Sequence, residues 1–236
     1  IEKGVVYMKM ILFDIDGTLI QSGGAGNRSL AKSFRKTFDC EESVEGVFLD
    51  GKTDPVIIKE IFSKKFPQKR CTKSIVNRVL DNYLSYLKME VAFAPKYKVL
   101  SGVLGTLKEL VETEDTIVGL ATGNIEEGAK IKLDRANLNR FFNFGAYGSD
   151  SSQREKILKI AAKRGFTVAK ETIAKDQTYV VGDTPDDVIA AKKAGFKSVA
   201  IASGRFSRKE LSKEKPDYLF DDFTDFRREF VSGGKS

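Results

Sequence analysis

Met10-Ile11-Leu12-Phe13 is apolar at four consecutive positions, and the chain turns acidic at once in Asp14-Ile15-Asp16-Gly17-Thr18-Leu19. A short run without polar alternation fits a strand buried on both faces, as the central strands of a parallel sheet are. Four more short apolar runs, at 116–121, 144–148, 178–181 and 198–202, are separated from one another by helical patterns. Leu104, Leu107, Leu110 and Val111 recur at helical spacing before the second run, and Ile157, Leu158, Ala161 and Ala162 before the fourth. Val188, Ala190, Ala191 and Ala194 follow it, with Gly195 placed to cap that helix. Strands alternating with helices predict parallel βα units, hence an α/β fold with a doubly wound, Rossmann-like parallel sheet.

In such a sheet the carboxyl ends of the strands open onto the crevice where ligands sit. Asp14 and Asp16 stand at that edge, and unpaired carboxylates there are costly unless a cation or a reaction uses them. Histidine is absent from the chain. His-based triads and His metal ligands are thereby excluded, and acid/base work falls to carboxylates, Lys or Tyr.

Asp14-Ile15-Asp16-Gly17-Thr18-Leu19 resembles the first motif of the haloacid-dehalogenase superfamily of phosphohydrolases, and three further segments follow in the same order. They are Thr122-Gly123-Asn124, a basic residue near 154, and Gly182-Asp183-Thr184-Pro185-Asp186-Asp187. The resemblance implies a phosphate-ester hydrolase that works through an aspartyl-phosphate, with Asp14 as nucleophile and Asp16 as general acid/base. It also implies Mg²⁺ held by Asp14, Asp183 and the backbone carbonyl of Asp16. Mg²⁺ takes about six oxygens and often only one or two protein carboxylates. Asp187 enters the metal group as a ligand or as the partner of a basic residue or metal-bound water; its plainer role is charge at a helix N-terminus.

Thr122, Gly123 and Asn124 are expected to bind phosphate through backbone N–H groups at a helix start, although Thr and Asn also serve as ordinary helix caps. Arg154 has the better spacing to Leu158 and Ala161 for the basic catalytic residue, with Lys156 in reserve. Gly51-Lys52-Thr53-Asp54-Pro55 resembles the Gly-x-Thr-Asp loop of phosphoglycolate-phosphatase-like members, so Lys52 and Thr53 are candidates for substrate binding. Helix capping by Thr53 or Asp54 before Pro55 is the alternative. Two other functions stay open: a phosphomutase similar to β-phosphoglucomutase, and a non-catalytic phosphate-binding regulatory protein.

Residues 21–93 break the alternation, with helical stretches near 25–38, 54–66 and 72–90 and no strand between them. They are expected to form a smaller helical cap domain inserted after the first strand, with 1–20 and 94–236 making the core. Ser22-Gly23-Gly24-Ala25-Gly26 offers an entry hinge, and Ser232–Ser236 reads as a frayed tail. The formal net charge of +7 suits an anionic substrate. No zinc-ligand spacing or basic-aromatic motif supports nucleic acid as a partner. No apolar stretch approaches the ~20 residues of a membrane span, and Ile1-Glu2-Lys3-Gly4 is not an export signal. With two cysteines, Cys40 and Cys71, a cytoplasmic protein, monomer or homodimer, acting on a small phosphorylated substrate is expected.

Overall fold

The computed structural model describes residues 8–40, 44–47 and 49–232, so most of the 232–236 tail lies outside the described residues. Strand β1 (Lys9–Phe13) is central, and its side chains alternate between two cores. Ile11 and Phe13 enter one cluster and Met10 and Leu12 the other. An apolar residue at every position is what a strand covered on both faces requires. On either side of β1 lie β4 (Thr116–Ala121) and β6 (Thr178–Gly182), both parallel to it. The sheet continues through β5 (Gly145–Ala146) beyond β4, and through β7 (Lys197–Ile201) and β8 (Tyr218–Phe220) beyond β6. All six strands are parallel, in the order β5-β4-β1-β6-β7-β8.

Helices cover both faces. Helices α6 (Arg154–Ala169) and α7 (Pro185–Ala194) pack over Met10 and Leu12. Helices α4 (Val103–Glu112), α5 (Glu126–Asp134) and α9 (Phe223–Arg227) pack over Ile11 and Phe13; α8 (Arg208–Ser212) lies between β7 and β8. The expected α/β class and doubly wound parallel core are thus what the chain forms. Gly195 caps α7 in the left-handed conformation, as its spacing predicted.

Three helices intervene between β1 and the rest of the sheet: α1 (Ala25–Phe38), α2 (Asp54–Lys65) and α3 (Lys73–Phe93). They bury Phe34, Ile58, Phe62, Val79 and Tyr83 in a cluster of their own. The sequence reading put this helical insert directly after the first strand. In the structure it follows β2 (Ile20–Ser22), which pairs antiparallel with β3 (Tyr97–Val99) to form a short two-stranded stem. Among the described residues, no helix is long and apolar enough to cross a membrane.

Candidate active site

The carboxyl ends of β1, β4 and β6 meet below the insert. Asp14 follows β1 and is held there by its N–H, which donates to the Val181 carbonyl of β6 at 3.0 Å. Thr122 follows β4 and Asp183 follows β6, and all three side chains are buried. Between Asp16 and β2 the chain reverses in a tight turn, with the Gly17 N–H donating to the Ile20 carbonyl at 2.8 Å. Gly17 has φ +80°, and a Cβ there would stand 2.2 Å from an Asp183 carboxylate oxygen. Only glycine gives both that backbone and that clearance.

The turn sends the two opening acids to different partners. Asp14 Oδ2 accepts from Arg154 Nη2 at 3.1 Å. The same guanidinium nitrogen donates to Asp187 Oδ1. Asp16 Oδ2 accepts instead from Lys132 Nζ at 2.6 Å and Asn124 Nδ2 at 3.0 Å, and its Oδ1 from Ser22 Oγ at 3.1 Å. Sequence reasoning missed Lys132. Its signal was a lysine within the inward stripe of α5, beside Ala129 and Leu133, where a charge has to find a buried partner.

Burial raises the Asp14 carboxyl above its ordinary range, against the pull of Arg154 and with a further push from Asp187. Asp183 is raised well above it by burial and by the neighbouring charges of Asp187 and Asp14, while Thr18 Oγ1 donates to it at 2.9 Å. For Asp16 burial pulls upward too, but the Lys132 charge and the three donors bring it below the usual range. Carboxylate oxygens of Asp14, Asp183 and Asp187 all lie within 4.8 Å of one another. A buried acidic cluster with a raised carboxyl fits a divalent cation, which would offset the repulsion. Within it, Asp187 already caps α7, accepting from the Thr184 N–H and hydroxyl at 3.1 and 2.7 Å besides bonding Arg154. Asp183, which accepts from Thr18, retains more free acceptor capacity than Asp187 does.

The insert reaches this site through residues 49–54. The Asp54 N–H donates to the Gly123 carbonyl at 2.9 Å, and Asp54 Oδ2 accepts from the Ile125 N–H at 2.8 Å. A Cβ on Gly123 would lie 2.3 Å from the Lys52 carbonyl oxygen, so this glycine admits the insert loop as well as any ligand. Lys52 lines the cavity and pairs with Glu60 at 2.6 Å. Thr53 is buried behind that lining, and its hydroxyl has no hydrogen-bond partner. Asn124 turns its side chain to Asp16, Lys132 and Thr122. Arg154 sits in the cavity wall, whereas Lys156 is exposed. The cavity measures about 380 Å³ and its lining includes Asp14, Asp16, Thr122, Asn124, Lys132 and Asp183.

Asp54, one of the two residues offered as an alternative helix cap, is a buried carboxyl pushed up to about 6 by burial, with Lys132 and the Ile125 N–H pulling the other way. Between its unfolded value of 3.8 and about 6, the folded protein keeps a proton that the unfolded chain releases. Its contribution to stability therefore falls as pH rises through that interval. Asp54→Asn removes the dependence. The melting temperature of the variant relative to the parent should rise between pH 4 and 6.5, by the equivalent of about 2–3 kcal/mol. A constant difference across that range would show that Asp54 does not titrate there.

A family model described as haloacid dehalogenase-like hydrolase matches residues 11–201. The chain is 29% identical over 221 residues to a phosphoglycolate phosphatase of Pseudomonas syringae pv. tomato, covering 91% of this chain and 76% of that one. It is 25% identical over 217 residues to a phosphoglycolate phosphatase of Aquifex aeolicus, covering 89% and 91%. Its fold is similar to that of a hydrolase from Pseudomonas syringae, with a TM-score of 0.69, 19% identity, and coverage of 97% and 100%.

Proposed function

The chain belongs to the haloacid dehalogenase-like hydrolase family, and from that premise we propose that it is a Mg²⁺-dependent phosphatase of small phosphate monoesters, similar to phosphoglycolate phosphatases. The observation that carries this reading is Asp14 at the central strand end, bonded by Arg154 and flanked by Asp183, on the floor of a cavity beneath the insert.

In this reading Asp14 attacks phosphorus and the ester P–O bond breaks, leaving an aspartyl-phosphate and an alkoxide that takes a proton from Asp16. Water then attacks the aspartyl-phosphate, giving its proton to Asp16 and releasing phosphate. The Lys132 partnership favours the carboxylate of Asp16, the form that receives water's proton. Arg154 neutralises charge on Asp14 and on the phosphoryl oxygens, and Asp187 fixes its guanidinium. Thr122 and the backbone of Gly123 and Asn124 face the phosphoryl group at the start of the α5 segment. Asp14, Asp183 and the Asp16 carbonyl would hold Mg²⁺, which supplies charge neutralisation at the phosphoryl oxygens. Asp187, with both oxygens engaged, serves Arg154 and the helix cap. The insert side of the cavity, where Lys52 stands with Thr53 behind it, selects the rest of the substrate.

Phosphate release with Mg²⁺ across glycolate, sugar and nucleotide monophosphates tests the proposal. Turnover of at least one small ester without a bisphosphate activator is expected. Turnover that requires a sugar bisphosphate would mean a mutase, and no release from any ester would mean a non-catalytic binder.

A further inference from the structure

Lys132 is buried where the core meets the insert, and the reaction as written uses only its charge beside Asp16, not the geometry it imposes. Its ammonium donates to Asp16 Oδ2 and to Asn124 Oδ1, each at 2.6 Å. Asn124 Nδ2 in turn donates to the same Asp16 oxygen at 3.0 Å and to Thr122 Oγ1 at 2.8 Å. Lysine, amide and carboxylate thus close a triangle in which each side is a hydrogen bond. It fixes both the rotation of the Asn124 amide and the plane of the Asp16 carboxylate. The opposite oxygen of Asp16 is held by Ser22, on the stem strand of the insert.

The triangle is not confined to the core. A Cβ on Gly26, in α1, would stand 3.6 Å from the Lys132 nitrogen and 3.8 Å from the Tyr83 hydroxyl of α3. The Lys132 charge also reaches Asp54, at the head of α2, where it partly offsets the upward push of burial. A cation that stands against α1 and α3, acts on Asp54 of α2 and is bonded to a core acid has its place where the insert is seated. An amine on a flexible stem would be a poor permanent filler for such a site. It earns its desolvation only by holding something in place.

We propose that Lys132 is the positioning residue for Asp16, aiming its carboxyl group through the Lys132–Asn124–Asp16 triangle so that its protonated form gives its proton to the leaving oxygen. The proposal rests on the phosphatase reading above. A group that acts only through the general acid matters in proportion to how badly the leaving group needs a proton. Two aryl esters of similar shape therefore separate this role from a structural one: phenyl phosphate, a poor leaving group, and p-nitrophenyl phosphate, a good one.

Lys132→Met, which keeps the length of the stem, is expected to lower kcat on phenyl phosphate by about 100-fold and on p-nitrophenyl phosphate by less than about tenfold. KM should change less than about threefold for either. Adding Lys132→Met to Asp16→Asn should cost nothing further on phenyl phosphate, because the group being positioned is already gone. Lys132→Arg keeps the charge and tests the same ratio of losses if the methionine variant does not fold. Equal losses on both esters, a change confined to KM, or additivity with Asp16→Asn would overturn the inference and leave the phosphatase reading intact. No hydrolysis of either ester by the unmodified protein, with none on the wider panel, would overturn the phosphatase reading itself.

Discussion

Asp14→Asn is expected to lower phosphate release by on the order of a thousandfold or more in kcat, with the fold retained. An amide cannot form the acyl-phosphate, and no neighbouring acid can substitute for it. Asp183 and Asp187 are close, within the 4.8 Å acidic cluster, but each accepts hydrogen bonds that fix it where it stands. Asp16 is turned away toward Lys132. Retention of the fold follows from the same geometry. Asp14 is a buried carboxyl raised above its usual range by burial, so a neutral isostere removes a penalty while its oxygen still accepts from Arg154. The variant should melt, without metal, no lower than the parent. Turnover within tenfold of the parent would remove Asp14 from the role of nucleophile.

The parts of the molecule legible in the sequence share one property: their burial is dictated by local pattern. Met10–Phe13 could be read because consecutive apolar residues serve two cores, and Asp14 and Asp183 because each follows such a strand directly. What escaped lies where burial is partial or is settled by distant chain. Strands β2, β3 and β8 are three residues each and mostly half-exposed, so they carry no distinctive period. The run 144–148 was read as a full strand, yet only Gly145 and Ala146 pair. Beyond them the Tyr147 N–H goes to the Asp150 carboxylate and the chain leaves the sheet edge.

Lys132 and Asp54 were hidden for a different reason. A lysine on a helix and an aspartate before a proline have common surface explanations, and only the meeting of insert and core makes either one a buried charge. Gly123 shows the same limit in milder form. The sequence offers it as a backbone N–H for phosphate, whereas its missing side chain also makes room for the Lys52 carbonyl of the insert. Residues gathered at the strand ends of the core were readable. Those facing another part of the same chain were not.

Asp183→Asn should show that the acidic cluster trades stability for metal binding. Asp183 is buried beside Asp14 and Asp187, and its carboxyl is raised well above the ordinary 3.8. The folded state therefore retains a proton at pH values where the unfolded chain has lost it. The stability tied to that group declines as pH rises from 3.8. Near neutrality the carboxylate is a liability in the metal-free protein. Asparagine removes the charge and can still accept from Thr18, so the metal-free variant is expected to melt higher by about 2–8 °C, equivalent to about 1–3 kcal/mol in a chain of this size. Mg²⁺ should reverse the order. Millimolar Mg²⁺ should raise the melting temperature of the parent through binding to the folded state alone, and leave the variant almost unmoved. Activity should fall by about 100-fold or more at the same concentration. Melting curves of both proteins with and without Mg²⁺, at neutral pH after chelation, make the comparison. A variant that melts lower without metal, or that keeps the parent's Mg²⁺ shift, would remove Asp183 from the metal site and leave its burial without a function.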